Sequence, residues 1–122
     1  MSGPKIVIKR IYDEVDDADG QRVLVDRMWP RGVSKKRAQL DHWFKDVAPS
    51  TELRSWWDHD ADQMDEFAAR YEQELSDDRH VSQVDEIIEL IHAHPRVTLL
   101  YAAKDEVVNH ARVLQDYLRR HS

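Results

Sequence analysis

The chain predicts an α/β fold, a small, mostly parallel sheet of three to four strands flanked by helices, in a single domain spanning residues 1–122. Short β-branched runs at Ile6-Val7-Ile8 and Val23-Leu24-Val25 alternate with longer segments whose apolar residues recur at helical spacing. The run Val97 to Ala103 is almost wholly apolar, as in a central strand covered on both faces. A chain of 122 residues is also long enough to bury one core without disulfide or metal staples.

Ile6, Val7, Ile8 and Ile11 mark the first strand, closed by the turn signal Asp19-Gly20. A second strand follows at Arg22 to Arg27. The nine residues from Asp13 to Gln21 are short for a parallel crossover and long for a tight hairpin, which leaves the relative direction of the two strands open. Ser34 caps a short turn, after which Leu40, Trp43, Phe44 and Val47 are spaced as one face of a helix ended by Pro49. Ser50 or Thr51 caps the next helix, with Glu52 in its positive first turn and Leu53, Trp56 and Trp57 as its apolar side.

Asp60 caps a longer helix from Ala61 to about Leu75, paced by Met64, Phe67, Ala68, Tyr71 and Leu75. Another runs from Ser82 to His92, with Val84, Ile87, Ile88 and Ile91 in one stripe and Pro95 as its stop. After the central strand, Val107, Ala111, Leu114 and Leu118 pace a terminal helix.

Composition excludes several functions. With no cysteine, disulfides, thiolate nucleophiles, zinc ribbons and iron–sulfur clusters are ruled out. The first residues lack the features of a signal peptide and no apolar stretch approaches a bilayer span, so a soluble, cytoplasmic protein is expected, with no membrane partner. A net charge of −6 and a mean hydropathy of −0.74 argue against duplex nucleic acid as the partner. The charge is nevertheless segregated: residues 27–37 hold Arg27, Arg31, Lys35, Lys36 and Arg37 with no acid, while 13–19 hold Asp13, Glu14, Asp16, Asp17 and Asp19. Oligomeric state is not legible.

The strand at 23–25 runs without a spacer into Asp26-Arg27-Met28-Trp29-Pro30-Arg31. The strand at 97–103 runs in the same way into Lys104-Asp105-Glu106 and a helix bearing Asn109 and His110. If the two strands are parallel neighbours, both sets of polar residues meet outside their carboxyl ends, where α/β sheets bind ligands, and the helix amino terminus favours an anion there. Arg27 and Arg31 match the two oxygens of a phosphate or carboxylate, although Arg27 could instead pair with Asp105 or Asp46. Asp26 and His110 are the candidates for moving a proton, and Asp26 has an ion pair or loop cap as its plainer role.

Trp29 is a stacking candidate, Lys104 a counter-charge, Tyr101 a hydroxyl that needs a partner, and Asp105, Asn109 and His59 complete the ligand-binding set. His92 and His94 lack an obvious third ligand, and neither a metal nor a cofactor is expected.

Several longer words carry a resemblance: Asp26 to Gly32, Leu40 to Ser50, Glu52-Leu53-Arg54 with His59-Asp60, and Thr98 to Asp105 with Asn109-His110. With these words, over nearly its whole length, the chain resembles the YeaO-like proteins of domain-of-unknown-function family 488 (DUF488). The resemblance implies a small α/β domain with its polar motifs gathered at one end of the sheet, and it brings no established reaction. Some relatives carry labels of uroporphyrinogen methyltransferase or transcription regulator, but this chain has no glycine-rich loop for a methyl donor and no convincing helix-turn-helix. The broader family tends to place cysteines near Tyr101 and beside His110; this chain has Tyr101 and Asn109 there, so no thiol chemistry carries over.

Three functions follow. The first is an anion-binding crevice for a small phosphorylated or carboxylated ligand, with or without catalysis. The second is a non-catalytic interaction or regulatory module in which the same motifs form a structural ion-pair network. The third gives the basic stretch from Arg27 to Arg37 a role on single-stranded nucleic acid.

Overall fold

The apolar run near residue 100 forms β4 (Arg96–Tyr101), and it lies inside the sheet, as a strand apolar on both faces must. The structure is a computed structural model that describes residues 5–58, 60–105 and 109–122. Around β4 the strands run in the order β1 (Lys5–Arg10), β4, β2 (Gln21–Leu24), β3 (His42–Trp43), all parallel. The helices are α1 (Lys35–Ala38), α2 (Thr51–Trp57), α3 (Met64–Leu75), α4 (Val81–Ala93) and α5 (His110–His121).

The direction left open for the first strand is thus resolved as parallel, and β4 separates β1 from β2. The connection between them crosses β4 with no more regular structure than a turn of 3-10 helix at Asp17–Asp19. It lies tight against the sheet: Thr98 Oγ1 donates to the Asp19 carbonyl at 2.6 Å. Gly20, at φ +66°, comes so close that a Cβ would stand 2.4 Å from the Arg96 carbonyl oxygen. Only glycine tolerates both the approach and the left-handed backbone.

The strands' period of two divides the core. Val97, Leu99 and Tyr101 of β4 and Val23 of β2, with Val25 just beyond it, face the main core with Phe67, Tyr71, Ile87 and Leu114 from the helices. Leu24 and Leu100 face the other way, into a smaller cluster with Ile11, Val33 and Ala38. Leu24, Val25, Leu99 and Leu100 are fully buried, and at roughly 25 cal/mol per Å² such side chains supply much of the fold's stability.

The segment 40–47 corrects the sequence expectation. Its helical spacing is incidental: the helix begun at Ser34 ends at Ala38, Gln39 turns into the left-handed region at φ 46°, and His42–Trp43 pair with Val23 and Leu24 as an edge strand. Leu40 and Trp43 then pack on the smaller cluster while Phe44 and Val47 enter the main core, so the residues read as one helical face lie on opposite sides of the sheet. The open edge of β2 supplies this segment's backbone partners: Asp41 N–H donates to the Arg22 carbonyl and Phe44 N–H to the Leu24 carbonyl, both at 2.9 Å.

The remaining helices follow their caps. The Ser50 hydroxyl accepts from Leu53 N–H and the Asp60 carboxylate from Asp62 N–H. No helix among the described residues is long and apolar enough to cross a membrane.

Candidate functional site

Because β2 and β4 are parallel neighbours, their carboxyl ends deliver residues 26–31 and 102–104 to one place. The amino terminus of α5 and Arg54 and Trp57 of α2 close it. The result is a crevice of ≈390 Å³ lined by Asp26, Arg27, Met28, Trp29, Arg31, Lys104 and His110, with Tyr12, Ala48, Pro49, Arg54 and Trp57. A broader, more open depression of ≈1030 Å³ lies at the opposite end of the sheet, around Lys5, His92, His94 and Arg96. It holds none of the residues at the two strand-to-polar junctions.

Asp26 leaves the end of β2 with its carboxylate turned inward. Oδ2 accepts the Ala102 backbone N–H at 2.9 Å, tying the end of β2 to the end of β4. Oδ1 is buried and lies 3.1 Å from His110 Nε2, but the ring directs that nitrogen's hydrogen bond to the Val25 carbonyl at 3.0 Å, leaving Oδ1 without a hydrogen bond of its own. A carbonyl oxygen only accepts, so Nε2 carries a hydrogen. Asp26 and His110 therefore fasten three elements together: β2, β4 and the start of α5. Tyr71 stands edge-on to the His110 ring at 6.3 Å, and burial first, then the Glu74 and Asp26 carboxylates, push its phenol well above the ordinary range.

Arg27 is held loosely. Nη2 donates to the Ala48 carbonyl at 3.3 Å, Nη1 is 4.0 Å from the exposed Asp46 carboxylate, and Nε is buried with no partner. Of the two acids proposed from sequence as its partner, Asp46 is the one it meets, at a distance that contributes little in solvent. Arg31 and Lys104 are exposed at the rim, and the Arg31 carbonyl accepts the Tyr12 hydroxyl at 2.9 Å. Trp29 forms part of the wall. Its Nε1 donates to the Val33 carbonyl at 2.6 Å and its ring meets Trp43 edge-on at 5.4 Å, so it is rigidly set.

Asp26, Arg27, Trp29, Arg31, Lys104 and His110 are thus brought together, while three other residues named with them lie elsewhere. Tyr101 is buried in the main core, because its place in β4 points it to the helical face. Asn109 is fully buried as the cap of α5: Oδ1 accepts from Arg112 N–H and Nδ2 donates to the Asp105 carbonyl, both at 2.9 Å. Asp105 is exposed beside this cap and outside the crevice lining. His59 lies outside the described residues.

Arg54, whose place was not readable, joins the crevice, whereas Arg70 stacks over Trp56 at 4.3 Å in a separate groove. The wall formed by Ala48 and Pro49 carried no site signal beyond the resemblance, and Tyr12 carried none. Among the described residues, no group of three histidines or carboxylates is placed to hold a metal ion.

The family comparison covers nearly the whole chain. Residues 5–122 match a model described as the inactive DUF488-N3 subclade. The chain is 41% identical to the uncharacterized protein YeaO of Escherichia coli, over 93% of this chain and 96% of that one. It is 40% identical to the uncharacterized protein Rv3073c of Mycobacterium tuberculosis, over 93% of each. No solved structure matches. The chain therefore belongs to the DUF488 family, within the subclade described as inactive DUF488-N3.

Proposed function

We propose that the crevice binds a small phosphorylated or carboxylated anion and that the chain holds this ligand without transforming it. The charge balance carries the reading. In a chain of net charge −6, four cationic side chains, Arg27, Arg31, Arg54 and Lys104, line one cavity in which Asp26, the one carboxylate among the described residues that line it, is engaged internally. A guanidinium with an unpartnered buried Nε is suited to bidentate contact with an oxyanion, and α5 turns its amino terminus, with its partial positive charge, to the same side.

Two observations favour binding over catalysis. Asp26 and His110, the candidate proton carriers, are occupied in fastening β2, β4 and α5. The matching subclade is also the one described as inactive. A cytoplasmic location, where phosphorylated metabolites are abundant, accords with this reading.

The test is a thermal-shift screen of phosphorylated metabolites, nucleotides and dicarboxylates on the parent chain, Arg27→Ala and Lys104→Ala. A ligand at about 100 times its Kd raises stability by about 2.7 kcal/mol, and both variants should lose most of that gain. If no anion stabilises the parent, or if the variants respond as the parent does, the reading falls.

A further inference from the structure

Ala48 and Pro49 form one wall of the crevice, and the segment around them is held from behind by three side chains that do not enter it. The Tyr71 hydroxyl donates to the Val47 carbonyl. Glu74 accepts the Ser50 N–H at 2.8 Å and the Ser50 hydroxyl. His80 Nε2 stands 3.1 Å from the Ala48 carbonyl oxygen. Tyr71 keeps its proton through the neutral range, and histidine is the side chain of these three that ordinarily changes charge there.

His80 is 3% exposed and both of its ring nitrogens face acceptors: Nε2 the Ala48 carbonyl, and Nδ1 the Asp77 Oδ1 at 2.7 Å. Neither a carbonyl nor a carboxylate oxygen can donate, so satisfying both contacts requires hydrogen on both nitrogens, the imidazolium form. The same Ala48 oxygen receives Arg27 Nη2 from the crevice side.

We propose that His80 is a positioning residue whose second proton holds the Ala48 carbonyl and, through it, Arg27, so that anion binding in the crevice weakens as His80 deprotonates. The proposal rests on the anion-binding reading above and adds its regulation. Burial opposes ionisation of Asp77, but hydrogen bonds from the His80 ring and from the His80 and Arg79 backbone N–H groups hold its carboxyl below the usual range. The ionised Asp77 therefore retains the Nδ1 hydrogen and the Nε2 hydrogen is the one lost. A nitrogen lone pair then faces the Ala48 oxygen, with Glu74 Oε1 only 3.9 Å from the same nitrogen, and the wall is repelled where it had been held.

The charged groups around His80 are Asp77, Asp78 and Arg79 of its own turn, Glu74 of α3, Glu52 of α2 across the groove, and Arg27 beyond Ala48. Carboxylates and arginines ordinarily titrate outside the neutral window. His110 is the competing histidine, because it lines the crevice itself and its charge would act with the same sign.

Sulfate, whose charge is constant through neutrality, separates the two when its binding is measured by calorimetry at about pH 6 and about pH 8. The parent should bind about tenfold more weakly at the higher pH, and His80→Gln, which keeps one donor and cannot titrate, should change by less than about twofold. Full pH dependence in His80→Gln would assign the effect to His110 and overturn the proposal. A second measurement uses the unsubstituted protein without ligand: the Arg27 Nε–H resonance should shift with the same midpoint as the His80 ring resonances. An Arg27 resonance that ignores that midpoint overturns the proposal whatever sulfate does. Sulfate failing to bind at either pH while Arg27 follows His80 supports the positioning link and overturns the anion-binding reading instead.

Discussion

Arg22 and Arg27 belong to one stretch of chain, the first within β2 and the second just past its end, and their surroundings are opposite. Arg22 is 4% exposed and every guanidinium nitrogen is used: Nη1 donates to Asp19, and Nε and Nη2 donate to the Ala38 carbonyl at 3.0 and 2.9 Å. Asp19 in turn accepts Lys9 Nζ at 3.1 Å and the Asp16 backbone N–H at 3.0 Å. Arg27 has one long hydrogen bond, one distant carboxylate and a buried Nε with no partner. A saturated arginine stabilises a fold, whereas an unsaturated one bordering a cavity is available to a ligand. The two ends of the strand therefore do different work, and the contrast can be tested.

The largest expected effect is at the saturated end. Arg22→Met leaves the buried Asp19 carboxylate short of its main partner and should cost about 3–5 kcal/mol in denaturant melts, whereas Arg27→Met should cost less than about 1 kcal/mol. Equal losses would break the comparison. Next is ligand binding: for whichever anion stabilises the parent, Arg27→Ala should lower affinity roughly tenfold to hundredfold by calorimetry, the range for a lost charged hydrogen bond. Arg70→Ala, in its separate groove, should leave that affinity unchanged.

Smaller again is the effect of Asn109→Ala. Removing the buried cap of α5 should cost about 0.5–2 kcal/mol of stability and leave the intrinsic affinity of the crevice intact. A loss of affinity out of proportion to the loss of stability would return Asn109 to the ligand set.

The broadest and shallowest effect concerns acid. Burial raises the Asp19 carboxyl, but the Asp16 backbone N–H, Lys9 and Arg22 together bring it below its ordinary value, and Asp77 is likewise held low by His80 and two backbone N–H groups. A depressed folded-state value means that the unfolded chain binds the proton first. The stabilisation is therefore complete above the ordinary carboxylate range and is lost as pH falls through and below it. Asp19→Asn should flatten that acid limb in pH-dependent melts, and an unchanged slope would remove Asp19 from the account.

How much of this was legible depended on how local the cause was. Ser50 and Asp60 could be read as caps because a cap needs only a side chain and a few following N–H groups. The central place of β4 followed from an apolar run that only two covered faces can hide. The segment 40–47 misled because Leu40, Trp43, Phe44 and Val47 satisfy a helical period and an edge strand alike; the free edge of β2 made the choice, and that edge is distant in sequence. Asn109 and Tyr101 were read as ligand contacts because polarity beside a strand end looks the same whether a side chain faces a cavity, the backbone of its own loop, as Asn109 does, or the main core, as Tyr101 does.

The site divides in the same way. The junctions at Asp26-Arg27 and Lys104 were visible as abrupt changes from apolar to charged residues, and the parallel pairing of β2 with β4 brought them together. Arg54 and the Ala48–Pro49 wall joined from elements whose position depends on how the helices pack. His80 gave no signal at all, since its two acceptors come from Asp77, three residues before it, and Ala48, across the fold.

The amino-acid sequence by itself determined which segments become strands and helices where periodicity and caps agree, which strand is central, and that charge gathers after two strands. Those are consequences of local sterics and of hiding apolar side chains from water. The tertiary structure alone decided that one arginine of the β2 region is saturated and the other is not, that Asp26 and His110 close on each other, and that a buried histidine stands behind the crevice wall. Each is a matter of which hydrogen-bond partner arrives from a distant segment, and that is set only when the layers pack.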